Sequence, residues 1–198
     1  VGFAIYVPEH QLPNFEASHD IARSVFRELA RYFPVSDHPQ ESAGIVEDQD
    51  LIAIGANASL EAAGILIEYG YIYEPQFAGL KLRSAALSEL AQQTYNGFKR
   101  YFEGSNAPVR SAATLPYAWT RELGEGAKNQ LDIFELQIAL SRDGLYPPVG
   151  RTRDDCPPSG NFGPCTREAL RTFQTRHDLR ASGKLDLDTI LKLNQFYK

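Results

Sequence analysis

Glu68 closes an apolar run, Ala63-Gly-Ile-Leu-Ile67, that has the length and composition of a strand. A carboxylate at the carboxyl end of a strand stands where open α/β sheets build their sites, and there it can give or take a proton. The same placement also suits a residue that caps a helix or closes a salt bridge. Cys156 and Cys165 form a second pair of reactive groups, flanking Pro-Pro-Ser-Gly-Asn-Phe-Gly-Pro. Their spacing fits no zinc finger, and neither has the histidine companions of a metal site or of a nucleophile. A disulfide is expected, with two reduced buried thiols as the alternative. Closing so short a loop would restrict the unfolded chain by up to roughly 3 kcal/mol, and it requires an oxidising compartment.

Other chemistry-bearing residues are scattered. His10, His19, His38 and His177 include no pair at helical i, i+4 spacing, and none lies close to the Glu68 strand. Glu9 and His10 sit beside Pro8 in a loop, and Glu61 lies in the loop ahead of Glu68. None of these three is expected to act as a ligand or catalyst. Tyr69, Tyr71 and Tyr73 alternate, which puts them on one side together, either lining a groove or packed under a helix. Trp119 is the sole tryptophan and is expected to pack on a neighbour rather than to stack on a ligand.

The elements that position these groups follow from periodicity. Ile21, Ala22, Val25, Leu29, Tyr32 and Phe33 recur at helical spacing across residues 17–33, with Ser18 as the expected N-cap and Pro34 as the stop. Asp50 to Gly55 and Ala63 to Ile67 are short continuous apolar runs, the pattern of strands buried on both faces of a helix-covered sheet. A long helix is expected from Leu80 to Phe102. Residues 104–128, mixed in Gly, Pro, Ser and Ala around Leu115-Pro-Tyr-Ala-Trp119, suggest an interdomain linker whose apolar island can dock on one of the domains. Three further helices follow, near 131–145, 166–175 and 187–196. The expected fold class is therefore α/β for residues 1–103, a linker at 104–128, and a small all-α three-helix domain over 129–198.

The chain has 198 residues, long enough for an ordinary core and a small second one. With 43% hydrophobic and 23% charged residues it falls outside the disordered class. No apolar run reaches membrane-spanning length. Lys and Arg number seven against fourteen Asp and Glu in residues 1–104, and thirteen against eleven beyond. An acidic front half and a mildly basic back half exclude the clustered basic face of a nucleic-acid binder. The chain has no methionine and opens at Val1 on a strand-like string, so we expect a mature or trimmed chain whose beginning lies upstream.

Two resemblances sharpen these expectations. Glu135-Leu-Gln137, Leu140, Gly144-Leu-Tyr146-Pro147, Gly160-Asn-Phe-Gly163, Thr166, Ala169-Leu170, Phe173-Gln174, Leu179, Gly183 and Thr189 resemble the three-helix peptidoglycan-binding domain. That resemblance covers roughly residues 129–197 and implies noncovalent binding to cell-wall glycan or stem peptide. Phe162, Phe173 and Gln174 are expected to specify the fold, with Thr166 capping the second helix. The front half resembles the carboxy-terminal portion of the zinc-dependent N-acetylmuramoyl-L-alanine amidases. The residues that carry it are Gly2-Phe-Ala-Ile-Tyr-Val7, Gly64-Ile-Leu-Ile-Glu68-Tyr-Gly70-Tyr71-Ile72-Tyr-Glu-Pro-Gln-Phe77 and the helix ending at Tyr101-Phe102. It departs from the family pattern at Tyr71, usually Phe, and at Glu74, commonly Asn.

The amidase resemblance implies an enzyme that uses zinc and cleaves the amide between N-acetylmuramic acid and L-alanine, with Glu68 as acid/base. The family's His, Glu and His zinc ligands would precede Val1, and no ligand is assigned within this chain. Together the two resemblances imply peptidoglycan as partner and an extracytoplasmic protein that is secreted, periplasmic or wall-associated. The alternative is a non-catalytic wall-binding or regulatory protein with a degenerate amidase fold.

Overall fold

The computed structural model of the chain describes residues 1–48, 50, 51, 54 and 61–198. Its described elements are β1 (Ala4–Val7), α1 (Phe15–Leu29), β2 (Ile45–Glu47), β3 (Leu66–Glu68), a 3-10 turn (Pro75–Phe77), α2 (Leu80–Glu103), α3 (Leu131–Arg142), α4 (Pro164–Arg176) and α5 (Leu187–Tyr197). The strand expected over Asp50 to Gly55 falls largely on residues outside the described set. The chain separates into two compact units: Val1–Tyr71 with Leu90–Arg110, and Ile72–Glu89 with Ser111–Lys198. Helix α2 therefore contributes its first turns to the second unit and the rest to the first.

The first unit is built on a three-stranded sheet ordered β2-β1-β3. Strand β1 runs parallel to β2, pairing Ile5 with Ile45, and antiparallel to β3, pairing Ala4 with Glu68 and Tyr6 with Leu66. Phe3, Ile5 and Val7 are fully buried, and the Phe3 ring meets Phe26 of α1 with centroids 5.6 Å apart. Ile21, Val25 and Leu29 form the inward stripe of α1, and burying each is worth about 1.5–3 kcal/mol. Helix α2 crosses α1 closely at Gly97, where a Cβ would come within 2.4 Å of the Val25 Cα. The Ser24 hydroxyl donates to the Gly97 carbonyl at 2.8 Å across the same contact. A side chain at position 97 would force the helices apart.

Several expectations are corrected in this unit. Helix α1 begins at Phe15 and ends at Leu29, so Ser18 lies inside its first turn rather than at the N-cap. Its hydroxyl instead donates to the Asn14 carbonyl at 2.6 Å and accepts from the Gly64 amide at 3.0 Å, tying the helix to the approach of β3. Strand β3 is not covered on both faces: Leu66 and Ile67 are half-buried and Glu68 is exposed. It pairs only with β1 among the described residues, and the fully covered strand is β1. Strand β2 has no counterpart among the expected elements, because Ile45-Val46 is too short a signal to rise above its surroundings.

The second unit gathers α3, α4 and α5. Helix α3 is buried continuously from Asp132 to Leu140, as expected of a helix at the centre of a bundle rather than on its edge. Ile133, Phe134, Leu136, Ile138 and Leu140 meet a core that includes Phe162, Leu170, Phe173, Leu185 and Leu193. The small sheet with flanking helices and the helical carboxy-terminal region match the expected classes in outline.

The boundaries differ from the expected ones. Residues 72–89 cluster with the helical unit instead of the sheet, and 111–128 are a built-in strap rather than a linker. Trp119 is 1% exposed, its indole N–H donates to the Asp132 carbonyl at 2.9 Å, and its backbone exchanges hydrogen bonds with the Asn194 side chain. The Tyr117 amide donates to the Tyr197 carbonyl, and Leu123 and Leu185 form an isolated antiparallel bridge. The apolar island packs on α3 through Trp119, which helps explain why that helix is buried nearly all round.

Candidate functional site

Two buried glutamines organise the helical unit. Gln137, on α3, accepts from the amides of Ser159 and Gly160 at 2.9 and 3.0 Å, and donates to the Asn161 carbonyl and the Thr166 hydroxyl at 3.0 and 2.9 Å. Gln174, on α4, accepts from the Gly183 amide at 2.8 Å. It donates to the Lys184 carbonyl, the Thr189 hydroxyl and Ser182 Oγ at 2.9, 2.8 and 3.1 Å. Each amide group fixes a loop that returns to its helix, so both act as fold specifiers. Thr166 lies inside α4, whose N-cap is Gly163 with Pro164 at its first turn. Its expected capping role is thus replaced by the bond to Gln137. Asp186 caps α5 by accepting from the Thr189 amide at 3.1 Å. Burial opposes ionisation of Asp186, but the Ser182 and Thr189 hydroxyls outweigh it and hold its carboxyl below the usual range.

Cys156 and Cys165 are joined by a disulfide that closes the loop ahead of α4. Beside it a hollow of 160 Å³ is lined by Tyr146, Ser159, Asn161 and the two half-cystines, among others. Burial pushes the Tyr146 phenol up to about 12, so it remains a hydroxyl that donates to the Pro157 carbonyl at 3.2 Å.

A larger cleft of 440 Å³ lies in the same unit, between the start of α2 and α3. It is lined by Leu80, Lys81, Ser84, Ala85, Ser88, Tyr117, Leu131 and Glu135. Glu135 is 2% exposed, and its Oε2 is buried without a hydrogen-bond partner. Burial pushes its carboxyl up to about 8; the nearby Thr114 hydroxyl works the other way, and the charges of Glu89 and Asp132 reinforce the rise. Those two neighbours are satisfied. Glu89 accepts from the Ala113 amide at 2.7 Å, and Asp132 accepts from the Tyr117 hydroxyl at 2.9 Å and twice from Arg121. Position 135 had been noted only as part of the Glu-Leu-Gln string, although a glutamate between Phe134 and Leu136 in an apolar run was a visible signal.

In the sheet unit, Glu68 ends β3 on the face of the sheet that carries Ala4 and Tyr6. Among the described residues no hydrogen bond or ion pair engages its carboxylate. The same face holds a polar network that sequence reasoning missed: Tyr6 and Tyr71 donate to the two oxygens of Glu41 at 3.1 and 3.0 Å, with His38 at 4.0 Å. Burial opposes ionisation at Glu41, yet the hydroxyls of Ser36, Tyr71 and Tyr6 hold its carboxyl below the usual range. The Tyr6 phenol is pushed up, first by burial, then by Glu41 and by the charge of Glu68. No local pattern marks Glu41, since the two tyrosines that bond it stand 35 and 30 residues away.

The three tyrosines expected on one side diverge. Tyr69 bonds Thr94 of α2 at 2.9 Å, Tyr71 bonds Glu41, and Tyr73 is largely exposed. Gly70, at φ +144°, takes the chain out of the regular alternation between the first two. Glu61 is exposed, and His10 pairs with Glu47 at 3.0 Å near the surface. Among the described residues no group of three or more His, Cys, Asp or Glu side chains could hold a metal ion, so they do not fit the zinc site that the amidase resemblance implies.

Residues 129–193 match the family described as a putative peptidoglycan binding domain. The matched segment takes in α3, α4 and most of α5, including Gln137, Gln174 and the disulfide loop. The helical region is similar to that family over these residues, which supports peptidoglycan as its partner. The match does not extend to the sheet unit. No curated protein and no solved structure matches the chain significantly. No described helix is long and apolar enough to cross a membrane.

Proposed function

We propose that this protein acts on the cell wall outside the cytoplasm, held to peptidoglycan by its carboxy-terminal helices while its sheet unit contributes Glu68 to hydrolysis of the amide between N-acetylmuramic acid and L-alanine. The match over residues 129–193 carries the binding half of this reading. The disulfide is in keeping with an oxidising compartment. The hydrolytic half is supported by the resemblance of residues 64–77 to the amidases and by the position of Glu68, exposed at the end of β3. A carboxylate so placed can take a proton from an attacking water and return it to the leaving amine. Because the described residues supply no three-ligand set, no step is assigned to zinc.

The match over residues 129–193, which bears on binding alone, equally supports a second reading, a wall-binding protein whose sheet unit is catalytically silent. Co-sedimentation with purified sacculi tests the shared part: the protein should pellet with sacculi and remain in solution with cellulose, and failure to pellet overturns both readings. Release of stem peptides from sacculi separates them. Turnover that is lost in Glu68→Gln supports the amidase, whereas no release by the native protein, or release unchanged by Glu68→Gln, removes Glu68 from catalysis.

A further inference from the structure

Three buried carboxyl groups converge in the helical unit, and they are not equivalent. Glu89 and Asp132 have strong donors, from the Ala113 amide and from Tyr117 with Arg121. Glu135 keeps a buried oxygen that the Thr114 hydroxyl approaches without closing a hydrogen bond, and it lines the 440 Å³ cleft. An unmatched buried polar atom is costly, and folded proteins rarely keep one. An orphan at the wall of an accessible cleft has an outlet that an orphan in a closed core lacks: a ligand can complete it.

The rest of the cleft says what kind of ligand. Leu80, Ala85, Leu131 and the Tyr117 ring give it apolar walls, Ser84 and Ser88 add hydroxyls, and Lys81 is the cation in the lining. At neutral pH burial keeps Glu135 mostly as the acid, which presents both an O–H donor and a carbonyl acceptor. A cationic amine would have to enter beside Lys81 and meet an uncharged acid. A free carboxylate would lose its hydration with Glu89 and Asp132 nearby. A neutral secondary amide with a methyl group meets neither obstacle: its N–H and C=O answer the two halves of the acid, and its methyl answers the apolar walls. The volume lies in the range of pockets that hold small ligands.

We infer that the Glu135 cleft is a subsite for the acetamido group of an amino sugar, with Glu135 as its hydrogen-bonding partner and Leu80, Ala85 and Leu131 around the methyl. The assignment rests on the peptidoglycan-binding reading for its source, because each sugar of that glycan carries such a group. It places the sugar contact at the start of α2 and on α3, away from the disulfide loop.

The test is an NMR or calorimetric titration of the full chain with triacetylchitotriose, and with the same trimer lacking its acetyl groups. The native protein should bind the acetylated trimer, and the deacetylated one at least tenfold more weakly. Glu135→Gln, which keeps a neutral donor and acceptor, should stay within about threefold of native affinity, and Glu135→Leu should lose at least tenfold. Ser84→Trp, which fills the cleft while Glu135 itself is retained, should lose binding as well, and unfolding midpoints confirm that each variant is folded. The inference is overturned if native protein fails to bind the acetylated trimer, if Glu135→Leu and Ser84→Trp bind it normally, or if the deacetylated trimer binds better and Glu135→Gln abolishes binding, the pattern of an amine site. Sacculus co-sedimentation of the same variants keeps the two levels apart. Wall binding that survives while the trimer is ignored removes the subsite and leaves the broader reading standing.

Discussion

Gln174 and Glu68 are both polar side chains at the end of a regular element, and the two units use them in opposite ways. Gln174 is wholly buried, and its amide is matched by Gly183, Lys184, Thr189 and Ser182. Glu68 is exposed, with no bond to its carboxylate among the described residues. In the helical unit polar groups hold loops to helices and are used up in doing so. On the sheet unit's polar face, Tyr6, Glu41 and Tyr71 satisfy one another, and Glu68 is left in reach of solvent. Groups that specify a fold are silent toward ligands, and those left over are the ones available for chemistry.

This contrast can be broken in stages. Gln174→Leu should have the largest destabilising effect. Each buried partner left unmatched costs about 1–3 kcal/mol, and two of the four, Gly183 and Thr189, are buried, so urea unfolding should show a loss of about 3 kcal/mol. A loss under ~1 kcal/mol would mean that the network is ornamental. Reducing the Cys156–Cys165 disulfide should come next, lowering stability by about 3 kcal/mol on loop-entropy grounds; an unchanged denaturant midpoint with reductant would contradict it.

Glu135→Gln should follow, and its effect depends on pH. The Glu135 carboxyl is raised to about 8 from an ordinary value of 4.5. The unfolded chain therefore releases its proton first, and native stability falls as pH rises between those values. The glutamine variant lacks this penalty. It should match the native protein near pH 4 and exceed it near pH 8 by on the order of 4 kcal/mol, read as a widening gap in Tm. A gap that stays constant with pH would show that the Glu135 carboxyl titrates alike in the folded and unfolded chain, so that burial does not raise it. Glu68→Gln should have the smallest effect, within about 0.5 kcal/mol. A marked fall in Tm would assign Glu68 to the fold and weaken its case as an acid/base.

The same contrast explains what could be read from residue order. The helices of the second unit were legible because Leu136, Leu140, Leu170, Phe173, Ile190 and Leu193 carry their periodicity locally. The Gln137 and Gln174 positions were legible because the loops they bind return within a few tens of residues in a recurring order. Glu41 was not, because its meaning depends on Tyr6 and Tyr71, which the sheet delivers from far along the chain. Strand β3 showed its apolar run but not its exposure, since a run of Ile and Leu does not reveal whether both sheet faces are covered. Gly and Pro, which punctuate residues 104–128, mark loops whether those loops dangle or dock. The apolar island at Leu115, Tyr117 and Trp119 is the local signal for docking.

For anyone moving this domain into another protein, the strap sets the cutting points. A transplant that begins at residue 129 would carry the recurring segment but leave behind Trp119, the Tyr117 bond to the end of α5 and the Leu123–Leu185 bridge. The slot vacated by an indole that is 1% exposed would become an apolar patch on the recipient. Grafts that start at Ser111 should stay soluble where the shorter ones clump, so the portable piece of this molecule is larger than the piece that evolution repeats.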